Sequence, residues 1–518
     1  MPRATYRVQF NKDFTFDDAI KILPYLSRLG VSHVYCSPIL RARPGSMHGY
    51  DIVAHDQINP ELGGTEGFHR FVRVLRQHEM GLLLDMVPNH MGVLGADNAW
   101  WMDVLENGVA SAYAQYFDID WHPINADLEG KVLVPVLGEP YGNVLASGDL
   151  VLTFERKSGA FVLRYHEHRF PLDPRSYPLV LKRAEELLTG AEARAAVSNL
   201  TAAFGHLPAR DAHGVEAAAA RVRDKESCKG CLARLADRQA AVARAIDVAL
   251  GEFNAAGAHD ALHELLEVQA YRLAYWRVAS DEINYRRFFD INELAALRME
   301  REQVFEATHA FVLDLAASGV VDGLRIDHPD GLYDPAQYFK RLQEGYARRA
   351  AIPLPGRGAS GHPECPLYVV AEKIVAPHEH VPESWHLHGT TGYRFAMVVN
   401  GVLVDGSAHS KLDRIWRAFA HEDRPFEELA YLGKRAIMRG MLASELTVLS
   451  GELLRIAHLD RRTRDHTFNT LREALAEVAA CMPVYRTYIV ERPSEQDLRY
   501  VDWAVAQARR RSHAGDVS

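Results

Sequence analysis

The chain has 518 residues, 48% apolar and 25% charged, with 59 basic against 68 acidic side chains and a formal net charge of −9. Such a composition supports a large folded core and excludes wholesale disorder, and the acidic balance argues against a nucleic-acid partner, which would need a basic face. No run of about 18 apolar residues occurs, so no membrane span is expected. The five cysteines (Cys36, Cys228, Cys231, Cys365, Cys481) are few and odd in number, which argues against a disulfide framework and for a cytoplasmic location.

Thr5–Phe10 predicts a short strand, Phe16–Leu29 an amphipathic helix stopped by Gly30, and Val31–Tyr35 a second strand. Thr65–His78 predicts a helix closed near Gly81. Leu82–Val87 follows as a continuous apolar strand with one acid, Asp85, inside it. Residues 130–170 hold short strand candidates between Gly-rich turns, and residues 178–280, rich in Ala, Arg, Glu and Leu, read as helices. The alternation then resumes: helix over Arg301–Ala317, strand over Gly319–Ile326, helix over Gln337–Ala351, strand over Leu367–Val370. Residues 408–480 read as helical, Pro483–Val490 as a further strand, and Arg509–Ser518 as a frayed end.

A helix followed at once by a buried apolar strand is the signature of a parallel sheet with helical crossovers. Its repetition favours an α/β fold of the (β/α)8 TIM-barrel type. The expected layout is 1–120 for the first part of the barrel, 121–175 for a β-rich insertion, 176–280 for a helical insertion, 281–407 for the barrel continued, 408–480 for a second helical insertion, and 481–518 for a barrel strand and the end.

Barrel enzymes place their reacting groups at the C-terminal ends of strands. Three polar clusters sit at such ends: Asp85 to His90, Gly323 to His328, and Ala371-Glu372-Lys373. A lone acid after a strand is usually a helix cap; three in successive units are harder to read that way. Cleavage of a glycosidic bond with retention needs a carboxylate nucleophile and a carboxylic acid about 5–5.5 Å apart, and Asp327 and Glu372 fit those two roles. Arg325, two residues before Asp327 on one strand face, is expected to keep Asp327 ionised, and burial beside Asp327 is expected to raise Glu372.

Asp85-x-x-x-Asn89-His90, Gly323-x-Arg325-x-Asp327-His328, Glu372 and His48-Gly49-Tyr50-Asp51 together resemble the signature regions of the α-amylase superfamily. Within it the chain most resembles the maltooligosyltrehalose synthase family, the glucan 1-α-D-glucosylmutases. The stretches that carry this are Tyr6–Phe10, Ser37-Pro38-Ile39, Glu282–Asp290, Gly389–Tyr393, Val402–Asp405 and Pro483–Tyr488. The resemblance implies Asp327 as nucleophile and Glu372 as general acid/base. It implies His48, Tyr50, Asp85, Asn89, His90, Arg325, His328 and Lys373 as substrate-binding groups. The implied reaction converts the reducing-end α-1,4 linkage of a maltooligosaccharide to α,α-1,1, a step of trehalose biosynthesis, with no cofactor and no metal. The family pattern is not followed throughout. No His-Asp motif for a third acid follows Glu372, Arg394 stands where Gly-Tyr-Asp is expected, and the family's chains are longer. The barrel is therefore expected to be incomplete at its C-terminal end, with a second polypeptide as a candidate to complete it. Two alternatives remain: an α-glucan hydrolase or 4-α-glucanotransferase of the same superfamily, and a non-catalytic glucan-binding remnant. Cys228-x-x-Cys231, without a second ligand pair, is not read as a zinc site.

Overall fold

A computed structural model describes residues 1–212, 215–255, 257, 259–356, 358 and 362–511. It divides into two compact units, Met1–His90 with Leu297–Ser518, and Met91–Ala296. The end expected to fray lies partly outside the described residues; Arg509–Arg511 close a helix, Glu495–Arg511.

The first unit is built on six parallel strands, β1 (Thr5–Val8), β2 (His33–Cys36), β3 (Gly81–Met86), β4 (Gly323–Ile326), β5 (Tyr368–Ala371) and β6 (Gly389–Thr390). Their order in the sheet is their order in the chain, every neighbouring pair parallel. A doubly wound sheet would reverse direction from a central strand; a sequential order is the arc of a barrel, here an incomplete one. Helix α1 (Phe16–Arg28) returns β1 to β2, α2 (Gly64–Gln77) precedes β3, α3 (Glu302–Ala317) precedes β4, and α4 (Pro335–Arg349) joins β4 to β5.

Each element follows from its pattern. Asp18 accepts the Thr15 backbone N–H at 3.0 Å and fixes the start of α1. The apolar stripe Phe16, Ala19, Leu23 and Leu26 of α1 is buried, as are Phe68, Phe71, Val72 and Leu75 of α2. The rings of Phe10 and Phe16 meet at 4.9 Å and those of Phe16 and Phe68 at 5.6 Å, joining both helices to the end of β1. All six residues of β3 are buried, because helices cover one face of the sheet and the barrel interior the other. The interior is close-packed: a Cβ on Gly323 would lie 2.6 Å from the Tyr368 carbonyl oxygen and 3.0 Å from the Leu83 side chain.

Pro483–Val490, expected as a strand, runs as irregular chain in the structure. Its Arg486 and Tyr488 side chains reach the loop after β4, and those contacts take the place of a ladder. Four helices lie in the stretch expected to be helical, His409–Ala420, Phe426–Arg439, Ala443–Ala457 and Phe468–Ala480.

The second unit holds a three-stranded antiparallel sheet of Val151–Glu155, Ala160–Tyr165 and His168–Pro171, followed by five helices between Pro178 and Glu267. Within the stretch expected to be helical, Tyr271–Tyr275 is a strand paired parallel with Val132–Leu137. No helix among the described residues is long and apolar enough to cross a membrane.

Candidate active site

Three carboxyls converge on one guanidinium at the C-terminal end of the sheet. Asp85 near the end of β3 and Arg325 on β4 are partners in the parallel register. Alternation along β4 carries Asp327 to the same side as Arg325, and Glu372 leaves the sheet directly after β5. Arg325 Nη1 donates to Asp85 Oδ1 and to Asp327 Oδ1, each at 2.6 Å, while Nη2 lies 3.0 Å from Glu372 Oε2. The rigid fork of the guanidinium therefore sets the mutual geometry of all three acids.

Their environments differ. The side chains of Asp85 and Asp327 are 0% and 8% exposed, and that of Glu372 is 25% exposed, so only Glu372 presents an edge to solvent. Burial pushes the Asp327 carboxyl up to about 7; Arg325 opposes the rise, and the charges of Asp85 and Glu372 add to it. Arg325 was expected to keep Asp327 ionised, but one guanidinium shared by three carboxyls does not outweigh desolvation. Burial also raises Asp85, against Arg325 and the hydroxyls of Tyr35 and Tyr50.

Both of those hydroxyls donate to Asp85 Oδ2 at 2.7 Å. Arg7 on β1 donates to the Tyr50 hydroxyl at 3.1 Å and lies over the Tyr35 ring at 5.5 Å. Tyr50 is held from behind, since His90 Nε2 lies 3.1 Å from its carbonyl oxygen and His48 Nδ1 accepts its N–H at 3.0 Å. His48 itself is 56% exposed, with Nδ1 3.8 Å from Asp51. Asn89 is buried with its amide nitrogen 3.4 Å from His90 Nδ1. A Cβ on Gly331 would stand 2.4 Å from Asn89 Oδ1, so the loop after β4 approaches Asn89 where only glycine fits.

His328 has φ +40° and ψ +57°, the left-handed region. For a residue with a Cβ this costs on the order of 1–2 kcal/mol. The turn aims the His328 N–H at Glu372 Oε2, 3.3 Å away. Tyr393 donates to the other oxygen, Oε1, at 3.2 Å.

The predicted residues Asp85, Arg325, Asp327 and Glu372 thus form one cluster, with Tyr50 and the His328 backbone in direct contact and His90 one step behind. Lys373 is a correction. Its side chain is 0% exposed, with Nζ 3.0 Å from Asp330 Oδ2 and 2.9 Å from Glu379 Oε1. It is spent on a buried ion cluster and presents no donor to a sugar. Tyr35, Arg7 and Tyr393 carry contacts that were not foreseen. The first two have a signal in hindsight, since Arg7 and Tyr35 are register partners on the strand face that leads to Asp85.

A family model described as alpha amylase, catalytic domain, matches residues 15–171. A protein of Mycobacterium tuberculosis that carries the description maltooligosyl trehalose synthase is 33% identical over 417 residues, which is 79% of this chain and 39% of that protein. An intracellular maltogenic amylase of Bacillus subtilis is 38% identical over 105 residues, 20% of this chain and 17% of that one. The solved structure of maltooligosyltrehalose synthase from Arthrobacter ramosus superposes with a TM-score of 0.68 at 31% identity, covering 100% of this chain and 52% of that one. The chain therefore spans about half the length of the structures it resembles.

Proposed function

From the premise that this chain carries the α-amylase type of catalytic barrel and resembles maltooligosyltrehalose synthases along its length, we propose that it rearranges the reducing end of maltooligosaccharides. The observation that carries this reading is the Asp327–Arg325–Glu372 arrangement. Both carboxyls are held by one guanidinium, Asp327 Oδ1 2.6 Å from Nη1 and Glu372 Oε2 3.0 Å from Nη2, which supports a paired role in retaining chemistry.

The chemistry runs in two balanced steps. Asp327 bonds to the anomeric carbon of the penultimate glucose as the bond to the glycosidic oxygen breaks, and Glu372 gives its proton to that oxygen. The freed reducing-end glucose stays bound and turns. Its own anomeric hydroxyl then attacks the glucosyl ester, Glu372 takes the hydroxyl proton, and Asp327 leaves as carboxylate. No water enters or departs, and the product has an α,α-1,1 end. Tyr35, Tyr50 and Arg325 hold Asp85 and Asp327 in place. Tyr393 and the His328 N–H orient the two oxygens of Glu372.

Hydrolysis by the same pair is the second reading. Helix Tyr393–Val402, which carries Tyr393 to Glu372, has no buried residue, so water has a path to that side. A second polypeptide, or further chain equivalent to the rest of the relatives' length, would close that side and favour the mutase.

Maltopentaose distinguishes these outcomes. A mutase lowers the count of reducing ends, a hydrolase raises it, and a 4-α-glucanotransferase leaves it unchanged. We expect a fall, abolished by Asp327→Ala; a rise would replace the mutase reading with the hydrolase. No change in reducing ends or in chain length would leave a glucan-binding remnant.

A further inference from the structure

We propose that Arg486 is a positioning residue: with Tyr488 and Lys373 it fixes the loop after β4 and, through that loop, the spacing between Asp327 and Glu372. The inference rests on the reading of those two carboxyls as the reacting pair, but none of the three side chains touches either carboxyl.

Arg486 gathers the carbonyls of one turn of chain. Nη1 donates to the backbone oxygens of Asp330 at 2.9 Å and Leu332 at 2.5 Å, and Nη2 to that of Tyr333 at 3.4 Å. Tyr488 donates to Asp330 Oδ1, and Lys373 Nζ bonds Asp330 Oδ2 at 3.0 Å, so both oxygens of that carboxylate are committed. The Tyr488 ring stands 5.0 Å from the Arg486 guanidinium and 5.8 Å from the Lys373 ammonium.

These contacts close a ring around the acids. Lys373 is bonded through the backbone to Glu372. Asp330 follows Asp327, His328 and Pro329 in the chain. The His328 N–H completes the ring at Glu372 Oε2. Within it sits the left-handed backbone of His328, a conformation that persists only where its surroundings hold it. Release of the turn at Asp330 would let His328 relax and swing its N–H off Glu372. Two carboxyls that must act on the same bond would then lose their alignment, although every atom of the reacting pair remains.

The test uses the 518-residue chain and two variants, Arg486→Ala and Tyr488→Phe, the second keeping the ring and removing only the hydroxyl. Steady-state turnover of maltopentaose is paired with amide hydrogen exchange of the peptide spanning residues 327–333. Arg486→Ala is expected to lower kcat about a hundredfold with KM within about threefold, and Tyr488→Phe to lower kcat about tenfold at unchanged melting temperature. Loop amides are expected to exchange faster while those of β3 and β4 do not. Unchanged kcat in Tyr488→Phe and a loss in Arg486→Ala that tracks unfolding would overturn the proposal, as would a change in KM alone. If Arg486→Ala does not fold, Tyr488→Phe decides by the same measures. If the unaltered chain does not turn over, the functional reading fails by itself. Exchange then still decides the buttress: faster exchange confined to the loop upholds it, and unchanged exchange overturns it.

Discussion

At the residue scale, the proposed nucleophile Asp327 sets catalysis against stability. Its folded carboxyl titrates above an unfolded one, so between about pH 4 and about 7 the folded chain holds a proton that the unfolded chain has lost. Stability contributed by this group is therefore present at low pH and falls as pH rises through that window. Asparagine keeps the acceptor for Arg325 and removes the charge. Asp327→Asn is expected to lose turnover by at least about 10³-fold while melting higher than the unaltered chain, with a small gain at pH 5 and a larger one at pH 8. Calorimetry at the two pH values checks it, and a gain that shrinks toward pH 8 would contradict it. Because burial raises both Asp327 and Asp85, the acid limb of kcat/KM is expected above the ordinary carboxylate range.

The residues read most securely from sequence were those for which strand ends and alternation dictate direction. Arg325 and Asp327 share a face because they are two apart on a strand, and Asp85 meets Arg325 because the strands are parallel neighbours. Lys373 departs from the sequence expectation for a geometric reason. It follows Glu372 at a strand end, where successive side chains point to opposite sides, so a neighbour of the acid is the residue least able to join it. Tyr393 had no local signal, since its hydroxyl reaches Glu372 through a turn after β6.

At the element scale, helix Val215–Arg238 shows what periodicity misses. Arg221, Lys225 and Lys229 recur every four residues, a spacing that reads as a solvated face. All three are buried. Arg221 donates to Asp173 Oδ1 at 2.5 Å and Asn107 Oδ1 at 3.1 Å, and both lysines bond Glu106, with Lys225 also 3.3 Å from Asp103. The acids that make this stripe an interior one lie over a hundred residues away in the case of Glu106, beyond any local pattern. Glu106 is desolvated by burial, yet the two ammoniums outweigh that and lower it, so its contribution is present above the unfolded carboxylate range and lost as pH falls through the folded value. Glu106→Ala leaves the two buried ammoniums with only the half-exposed Glu226 in common, its Oε1 3.1 Å from each, and is expected to cost about 3 kcal/mol, measured by urea unfolding at pH 7. A loss under about 1 kcal/mol would mean that these lysines reach solvent instead.

At the scale of the first unit, the order of β1 to β5 was legible because each carried its own strand signal. The two-residue β6, with no helix before it, had none, and Pro483–Val490 was misread because an apolar, β-prone run says nothing of whether a partner strand exists. The sheet as it stands has two edges, β1 and the two-residue β6. Beyond β6, helices Tyr393–Val402 and His409–Ala420 bury no residue. Phe395 is 73% exposed, Val402 79%, Leu403 85% and Phe419 81%. Edges and apolar helix faces of this kind are the surfaces that a barrel normally covers with its own next strands and helices. The chain spans about half the length of the resembling structures, and we propose that a polypeptide equivalent to the half it does not span covers these surfaces. Mixing the chain with such a polypeptide is expected to lower its binding of an apolar dye and to raise the ratio of mutase product to hydrolysis from maltopentaose at least about tenfold, because closing the acceptor side keeps water from the glucosyl ester. Phe395→Asp with Phe419→Asp places charge on the docking face while leaving Asp327, Arg325 and Glu372 untouched. The double variant is expected to lose both gains. Equal gains in the variant and the unaltered chain would show that the added polypeptide binds elsewhere.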